Sequence, residues 1–168
     1  MTGFKFKQFE IHQDRCAMKV GTDGVLLGAW APGGKRILDI GSGTGLISLM
    51  MAQRFPEAQV LGIDMDGEAC EEAAENVAAS PFADRVGVEC CRLQDYHSEE
   101  SFDAIVSNPP FFLNSLKNPD SKRTMARHTD SLPFRDLFRG AKMLLSDDGV
   151  FSVIVPSEVL EVVVSEAC

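Results

Sequence analysis

The sequence has few of the residues that build disulfide frameworks and zinc sites. Its 168 residues include five cysteines and three histidines, and no two cysteines are spaced as a Cys-x-x-Cys pair. This pattern is not that of a zinc cage or of a disulfide scaffold. We therefore interpret the cysteines as reduced thiols that mostly pack in the interior, and we expect no bound metal.

Long apolar runs are absent as well. The longest lie in segments such as 149–156, far short of the roughly 20 residues that a membrane-spanning helix requires. The first residues carry no signal-peptide pattern. We therefore expect a cytoplasmic protein without a membrane partner. With 45% apolar residues, a chain of this length can bury the core of one domain.

Positive charge is scarce overall, and the formal net charge is -9. The deficit is uneven, because residues 1–36 carry +3 and residues 111–142 carry +4, whereas 37–110 carry -11 and 143–168 carry -5. Both basic segments adjoin the motifs described below. We expect a positive approach path for an anionic substrate on an acidic body, with ordinary solvated surface charge as the alternative.

Strand-like apolar runs alternate with helical patterns, which predicts a mostly parallel sheet with helices on both faces. The predicted strands are 36–40, 59–63, 86–90, 102–107 and 149–155. The predicted helices are one from residue 46 that ends before Pro56, then 67–80 and 131–145. Phe4, Phe6, Phe9 and Ile11 indicate the apolar face of a strand or hairpin. The long polar stretch 113–130 predicts a lid that faces the substrate.

The predicted helix 67–80 is amphipathic. Its spacing predicts that Ala69, Ala73 and Val77 share the buried face. The acidic residues are expected to face water: Glu68, Glu71, Glu72 and Glu75.

A glycine-rich turn, Leu38-Asp39-Ile40-Gly41-Ser42-Gly43-Thr44-Gly45, joins the first core strand to a helix. The dinucleotide fingerprint requires a small residue where Leu46 stands. Asp39 would repel a pyrophosphate but attract a ligand that carries an ammonium group, as S-adenosylmethionine (AdoMet) does. Asp64, at the end of the second strand, is placed to accept hydrogen bonds from both hydroxyls of a ribose.

Together, this turn and the strand-end acid resemble the motif of AdoMet-dependent methyltransferases. The resemblance implies a Rossmann-like class I methyltransferase fold and AdoMet as the cofactor. The implied cofactor-binding residues of the motif are Asp39, Gly41, Ser42, Gly43, Gly45 and Asp64. For the adenine ring of the cofactor, the candidates are Met65, Leu93 and Asp95. Arg92 stands where such enzymes often carry an acid, which leaves Asp95 or backbone groups for the adenine amine.

The fourth predicted strand runs into Asn108-Pro109-Pro110-Phe111. An NH2 group on an aromatic ring or a carbonyl is a poor nucleophile, because its lone pair is delocalised and must localise before it attacks a methyl carbon. The side-chain oxygen of Asn108, which also borders the cofactor, and the carbonyl of Pro109 can accept the two amine hydrogens. The prolines stiffen the backbone, and Phe111 offers a stacking face worth about 1–3 kcal/mol to a flipped base. A rigid structural loop is the alternative.

This tetrapeptide resembles that of amino-methyltransferases that act on adenine N6, on guanine N2 or on the glutamine amide. By itself it does not distinguish these substrates.

The N-terminal block is more specific. It comprises the run Phe4-Lys5-Phe6-Lys7-Gln8-Phe9 and the segment from Asp14 to Trp30, which includes Gly21-Thr22-Asp23-Gly24-Val25-Leu26-Leu27-Gly28-Ala29-Trp30. With the glycine turn, the tetrapeptide and Ala126-Arg127-His128, it resembles the bacterial tRNA(Val) adenine-37 N6-methyltransferase family. The resemblance implies N6-methylation of an adenine in the anticodon loop of a tRNA, position 37 of tRNA(Val).

The resemblance also assigns residues outside the two motifs. Thr22 becomes a partner of the methionine carboxylate of AdoMet, with a turn or helix cap as the alternative for residues 19–23. Phe111 and the cations Lys122, Arg123 and Arg127 become substrate-binding residues, the cations through phosphates. His128 as a general base is the weaker interpretation.

In domain terms the resemblance implies one methyltransferase domain over residues 1–168. Residues 1–33 would cover the cofactor and substrate, and 34–168 would form the core. Members of the family continue with two further strands and a helix, so we expect a core without its last strands and a fifth strand at an exposed edge.

Four alternatives remain at this point. They are a release-factor glutamine N5-methyltransferase, an rRNA guanine N2-methyltransferase, a non-catalytic RNA-binding module of the same fold, and a nicotinamide oxidoreductase.

Overall fold

The structure is a computed structural model that describes residues 3–110 and 132–168. The predictions for Phe111, Lys122, Arg123 and Arg127, and the predicted lid at 113–130, lie outside the described residues.

The N-terminal residues form a small antiparallel hairpin. Strand β1 (Gly3–Lys5) pairs with β2 (Glu10–His12), which places Phe4 opposite Ile11. The rings of Phe6 and Phe9 stack with centroids 4.7 Å apart, and Phe9 and Ile11 are buried in the core. The predicted apolar hairpin face is therefore confirmed.

Five parallel strands form the main sheet, in the order β5-β4-β3-β6-β7. The strands are β3 (Arg36–Ile40), β4 (Gln59–Asp64), β5 (Val86–Cys90), β6 (Phe102–Ser107) and β7 (Leu145–Val153). The helices are α1 (Thr22–Trp30), α2 (Leu46–Arg54), α3 (Gly67–Ala78), α4 (Phe134–Leu144) and α5 (Leu160–Ala167). The strand order reverses on either side of β3, and ligands of such sheets bind where this reversal opens a crevice at the carboxyl ends of the strands.

The core is divided between the two faces of the sheet. Ile37 packs with α1, α2 and the N-terminal hairpin, while its neighbour Leu38 packs on the opposite face with residues of α4. This alternation follows from the two-residue period of a strand. The predicted parallel sheet, covered on both faces, is confirmed.

Several element boundaries differ from the predicted ones by one to four residues, most of all the starts of β7 and α4. Strand β7 begins at Leu145 rather than at residue 149, because Leu145 pairs with Phe102 and Val150 with Ala104, and the residues between them form a bulge. Helix α4 begins at Phe134, directly after Pro133. Among the described residues, β7 lies at the edge of the sheet.

The prediction that Glu72 faces water is wrong. Its side chain is 1% exposed, and its two carboxylate oxygens accept hydrogen bonds from the backbone N–H groups of Arg15 and Cys16. A chain segment distant in sequence covers this face of α3, which a helical period alone does not reveal. The other predicted acidic residues, Glu68, Glu71 and Glu75, are exposed.

In residues 3–110 and 132–168, no helix has the length and apolar character needed to cross a membrane. The same residues contain no group of three or more His, Cys, Asp or Glu side chains able to hold a metal ion. All five cysteines are free thiols, with Cys16 and Cys70 buried and Cys90 and Cys168 exposed. Fewer cysteines therefore pack in the interior than expected.

Arg85 ties the end of α2 to the sheet. Its guanidinium donates to the carbonyls of Ala52, Phe55 and Ala58 over 2.9–3.2 Å. These carbonyls lie at the helix end and beyond it, where backbone acceptors lack partners within the helix. We expect Arg85→Met to keep much of the packing but lose these bonds, lowering the free energy of unfolding by about 2 kcal/mol. Urea unfolding measures it.

Arg139→Met, at an exposed position of α4, is the matched control and should change stability by less than about 0.5 kcal/mol. Equal effects of the two substitutions would contradict this role for Arg85.

Candidate active site

A cleft of about 400 Å³ opens at the carboxyl ends of β3 and β6. These strands pair in parallel with Ile40 opposite Ser107, and the Ser107 hydroxyl donates to the Ile40 carbonyl over 2.9 Å. The glycine turn and the Asn-Pro-Pro segment therefore leave the sheet side by side. The lining residues are 18–24, 41–44, 46, 47, 108–110 and 156. A cleft of this volume suits a small-molecule ligand.

The glycine turn forms one wall. Gly41, Gly43 and Gly45 have φ values of 73°, 53° and 88°, a backbone region that disfavours other residues. The turn is fixed by bonds from the N–H groups of Gly41 and Ser42 to the Ile63 carbonyl. A Cβ built on Gly41 would meet no atom within 4 Å, so this backbone faces open space.

Asp64 supports the turn from the end of β4. One carboxylate oxygen accepts from the N–H of Gly43 over 2.8 Å, and the other accepts from the N–H of Asp66 over 2.9 Å. Each carboxylate oxygen retains a further lone pair. The half-buried side chain can therefore hold the turn and still accept hydrogen bonds from a ligand.

Asp39 lies enclosed behind the turn. One of its oxygens accepts from the Ser48 hydroxyl over 2.7 Å, whereas the other, like the buried Ser42 hydroxyl, has no partner among the described residues. Burial raises the pKa of Asp39 to about 7. The hydrogen bond from Ser48 lowers this pKa, whereas the negative charge of Asp64 raises it further. A cationic ligand in the cleft would favour the ionised form of this carboxyl group.

The opposite wall comes from the N-terminal segment. Met18 to Gly24 line the cleft, and α1 begins there at Thr22. Its N-cap residue, Gly21, provides no side-chain cap, so the first N–H groups of the helix can bind an anionic group. The structure thus brings Thr22 to the cleft at the first turn of α1.

Asn108, Pro109 and Pro110 close the cleft on the side of β6. Asn108 is half-buried and its amide nitrogen would lie 3.6 Å from a Cβ built on Gly24. Within the described part of the chain, no hydrogen bond engages its side chain. No other residue among 3–110 and 132–168 thus occupies its carboxamide.

Asp39 and Asp64 stand behind and beside the glycine turn rather than in the lining of the cleft, and the remaining predicted residues do not line it either. Gly45 packs against Ala73 behind the turn. Met65 is 39% exposed after β4. Leu93 is buried in the core beneath α4, against Gly140, and Asp95 is exposed at the end of the same short 3-10 helix.

Some lining residues were not predicted. They include Leu46, Ile47 and Pro156. Pro156 follows the last strand of the sheet, and its position after a carboxyl strand end is a signal that could have found it.

The sequence of the chain is similar to those of known proteins. The family model of the methyltransferase small domain matches residues 20–162. The tRNA1(Val) (adenine(37)-N6)-methyltransferase of Phocaeicola vulgatus is 57% identical over 157 residues, which cover 92% of this chain and 67% of the relative. The enzyme of the same name from Bacteroides thetaiotaomicron is 52% identical over 161 residues, covering 94% of this chain and 68% of the relative. The chain thus spans about two thirds of their length.

The fold also matches solved structures. A SAM-dependent methyltransferase from Thiobacillus denitrificans, in complex with S-adenosyl-L-homocysteine, superposes with a TM-score of 0.57 at 19% identity, over 79% of this chain and 47% of that one. The chain spans about half of that structure, and at this identity the likeness shows the fold alone. The predicted Rossmann-like class I methyltransferase fold is confirmed.

The raised pKa of Asp39 predicts a pH-dependent stability of the ligand-free protein. The folded state holds this proton up to about pH 7, whereas the unfolded chain releases it near pH 4. The folded state binds more protons in this window, so the Asp39 contribution to stability falls as pH rises to 7 and then stays constant. Asp39→Asn removes this slope, so the variant should gain stability relative to wild type by about 4 kcal/mol between pH 4 and 8.

Urea unfolding over that pH range measures the difference. Asp84→Asn, at an exposed position, is the control and should show no such trend. A difference between Asp39→Asn and wild type that does not vary with pH would show that Asp39 does not titrate there.

Proposed function

The chain belongs to the bacterial tRNA1(Val) (adenine(37)-N6)-methyltransferase family, and on that premise we propose that it transfers a methyl group from AdoMet to N6 of an adenine in tRNA. The proposed nucleotide is adenine 37, in the anticodon loop of tRNA(Val). The observation that carries the proposal is the adjacency of two motifs in one cleft. The glycine turn and Asn108 stand at neighbouring strand ends, since Ile40 and Ser107 are paired.

The residues that line the cleft, together with the carboxyl groups behind and beside the glycine turn, fit AdoMet. Ser42 and Asp39 offer buried oxygens without partners among the described residues, and Gly41 leaves open space beside the turn. The carboxylates of Asp39 and Asp64 suit the cationic end and the ribose hydroxyls, while the first turn of α1, at Thr22, suits the methionine carboxylate. Met65, Leu93 and Asp95 stay candidates for the adenine side of the cofactor.

The reaction needs an oriented amine rather than a strong base. When bound, AdoMet supplies an electrophilic methyl group on its sulfonium. The Asn108 side-chain oxygen and the Pro109 carbonyl accept the two N6 hydrogens and direct the nitrogen lone pair toward that methyl group. Pro109 and Pro110 restrict the backbone that carries these acceptors. The proton leaves after attack, when the alkylated amine has become acidic.

We propose that residues between 111 and 131, which lie outside the described part of the chain, contact the incoming base and its phosphates. Phe111 would stack on the flipped adenine, and Lys122, Arg123 and Arg127 would contact phosphates, supported by the net charge of +4 over residues 111–142. Residues 1–33 would cover the cleft and 34–168 would form the core, supported by residues 18–24 in the lining. We propose a cytoplasmic location, supported by the tRNA in the names of the relatives.

The alternatives have less support. The relatives described above are named as adenine-N6 enzymes, which does not favour a glutamine N5 or a guanine N2 substrate. Leu46, at the position where the dinucleotide fingerprint has a small residue, lines the cleft, which does not favour a nicotinamide cofactor.

Labelled AdoMet and unmodified tRNA(Val) test the substrate. We expect label in N6-methyladenosine at position 37 after nucleoside mapping. Label only in guanosine or in protein would contradict the proposed substrate, and AdoMet binding without turnover on any RNA would favour a non-catalytic module.

Asn108→Ala tests the amine acceptor. Because the variant loses one of the two oriented acceptors, we expect kcat to fall on the order of 100-fold, with the Kd for AdoMet changed less than threefold. Gln59→Ala truncates an exposed amide at the opposite end of the sheet and should leave kcat unchanged. Wild-type turnover by Asn108→Ala would refute the proposed acceptor role.

A further inference from the structure

Two buried polar residues of α3 contact the glycine turn and the N-terminal segment that leads into the opposite wall of the cleft. Glu72 and Asn76 are each 1% exposed, and they stand one helical turn apart on the same face of the helix. Neither lines the cleft. Their hydrogen-bond partners are backbone groups of the N-terminal segment and of the glycine turn. Glu72 also lies 3.7 Å from the Arg15 guanidinium.

Glu72 holds two successive backbone N–H groups. Its carboxylate oxygens accept from Arg15 over 3.0 Å and from Cys16 over 2.9 Å. Burying a carboxylate is costly unless both oxygens are hydrogen-bonded. Glutamine has the same shape but a single acceptor oxygen, and its NH2 group would face a second N–H donor. The carboxylate is therefore specific to this backbone geometry.

Asn76 connects the N-terminal segment to the glycine turn. Its oxygen accepts from the N–H of His12 over 2.9 Å, and its nitrogen donates to the carbonyls of His12 and Thr44 over 2.9 and 2.8 Å. Thr44 belongs to the glycine turn and lines the cleft. The three bonds use both N–H donors and one of the two oxygen lone pairs of the carboxamide in one arrangement.

The anchored segment reaches the cleft directly. Cys16 packs on the turn, since a Cβ built on Gly43 would lie 3.4 Å from its Sγ atom. Gln13 then closes the loop that leads to the wall, because its side chain accepts from the N–H of Val20 over 2.8 Å and its carbonyl accepts from the Lys19 ammonium. Met18 to Gly24 follow as the wall opposite the glycine turn.

We propose that Glu72 and Asn76 are positioning residues for the AdoMet site, which set the distance between its two walls by holding residues 12–16 against the glycine turn. This inference rests on the proposed function. Loss of either anchor frees the segment that carries Thr22, so the cleft must be ordered again each time AdoMet binds. The effect falls on cofactor affinity more than on the methyl-transfer step.

Glu72→Gln and Asn76→Asp are the test variants, and Glu71→Gln is the matched control. Glu71 lies on the same helix and is 71% exposed, and among the described residues it pairs with the Arg15 side chain at 3.7 Å. This control removes the same charge and the same kind of contact with Arg15 that Glu72 makes at 3.7 Å, without touching the backbone anchor. Circular dichroism and thermal melting first establish which variants fold.

Titration calorimetry with AdoMet, steady-state kinetics with tRNA and hydrogen exchange are then compared. We expect each test variant to raise the Kd and KM for AdoMet at least tenfold, to change kcat at saturating AdoMet less than threefold, and to speed exchange at residues 12–24. Glu71→Gln should stay within twofold of wild type in all of these.

Folded test variants that melt lower but bind AdoMet as wild type does would overturn the proposal and leave a stability role only. If Glu72→Gln does not fold, the results for Asn76→Asp decide whether the proposal holds. If neither variant folds, the two residues are needed for folding itself and the proposal fails. Absence of AdoMet binding by the wild-type protein would instead refute the proposed function, and this inference with it.

Discussion

The parallel pairing of β3 with β6 determines where the chemistry can occur. It sets Ile40 opposite Ser107, so the two segments that follow these residues leave the sheet as neighbours. The strand order reverses across this point, because β4 and β5 lie on one side of β3, whereas β6 and β7 lie on the other. A crevice between the departing loops is the geometric consequence. The glycine turn and Asn108 stand side by side at the cleft because of this register.

The electrostatics of the cleft depend on how deeply the carboxyl groups next to it are buried. An acidic pair, Asp39 and Asp64, stands behind and beside the turn, and Asp39 is fully buried. Burial makes its carboxyl hard to ionise, so a cation in the cleft is an effective partner for its ionised form. We propose separate roles for the acidic body and the basic segments of the sequence: the first would favour a cationic cofactor, and the second would suit an anionic nucleic acid.

Periodicity and turn chemistry were sufficient to predict the parallel sheet and the position of both motifs, because a strand buried on both faces and a Gly-rich strand-to-helix turn have local signatures. The predictions that failed were those that depend on tertiary contacts. The spacing of Glu72 is that of a solvated helix face, but a segment distant in sequence covers its side chain. Strand β7 begins before residue 149, because Asp147-Asp148-Gly149, which predicted a turn, lies in a bulge of the strand. Leu93, a predicted neighbour of the cofactor adenine, is buried in the core beneath α4. The polar anchor of Glu72 and Asn76 joins residues more than 50 positions apart, beyond the reach of local patterns.

Amide NMR during titration with S-adenosylhomocysteine tests the central claim, that one cleft between β3 and β6 holds the cofactor against Asn108. The account predicts the largest shifts at the backbone of Gly41, Gly43 and Gly21 to Asp23, at Asp64, and at the Asn108 side chain. Shifts confined to the opposite end of the sheet, around Gln59 and Arg85, would contradict it.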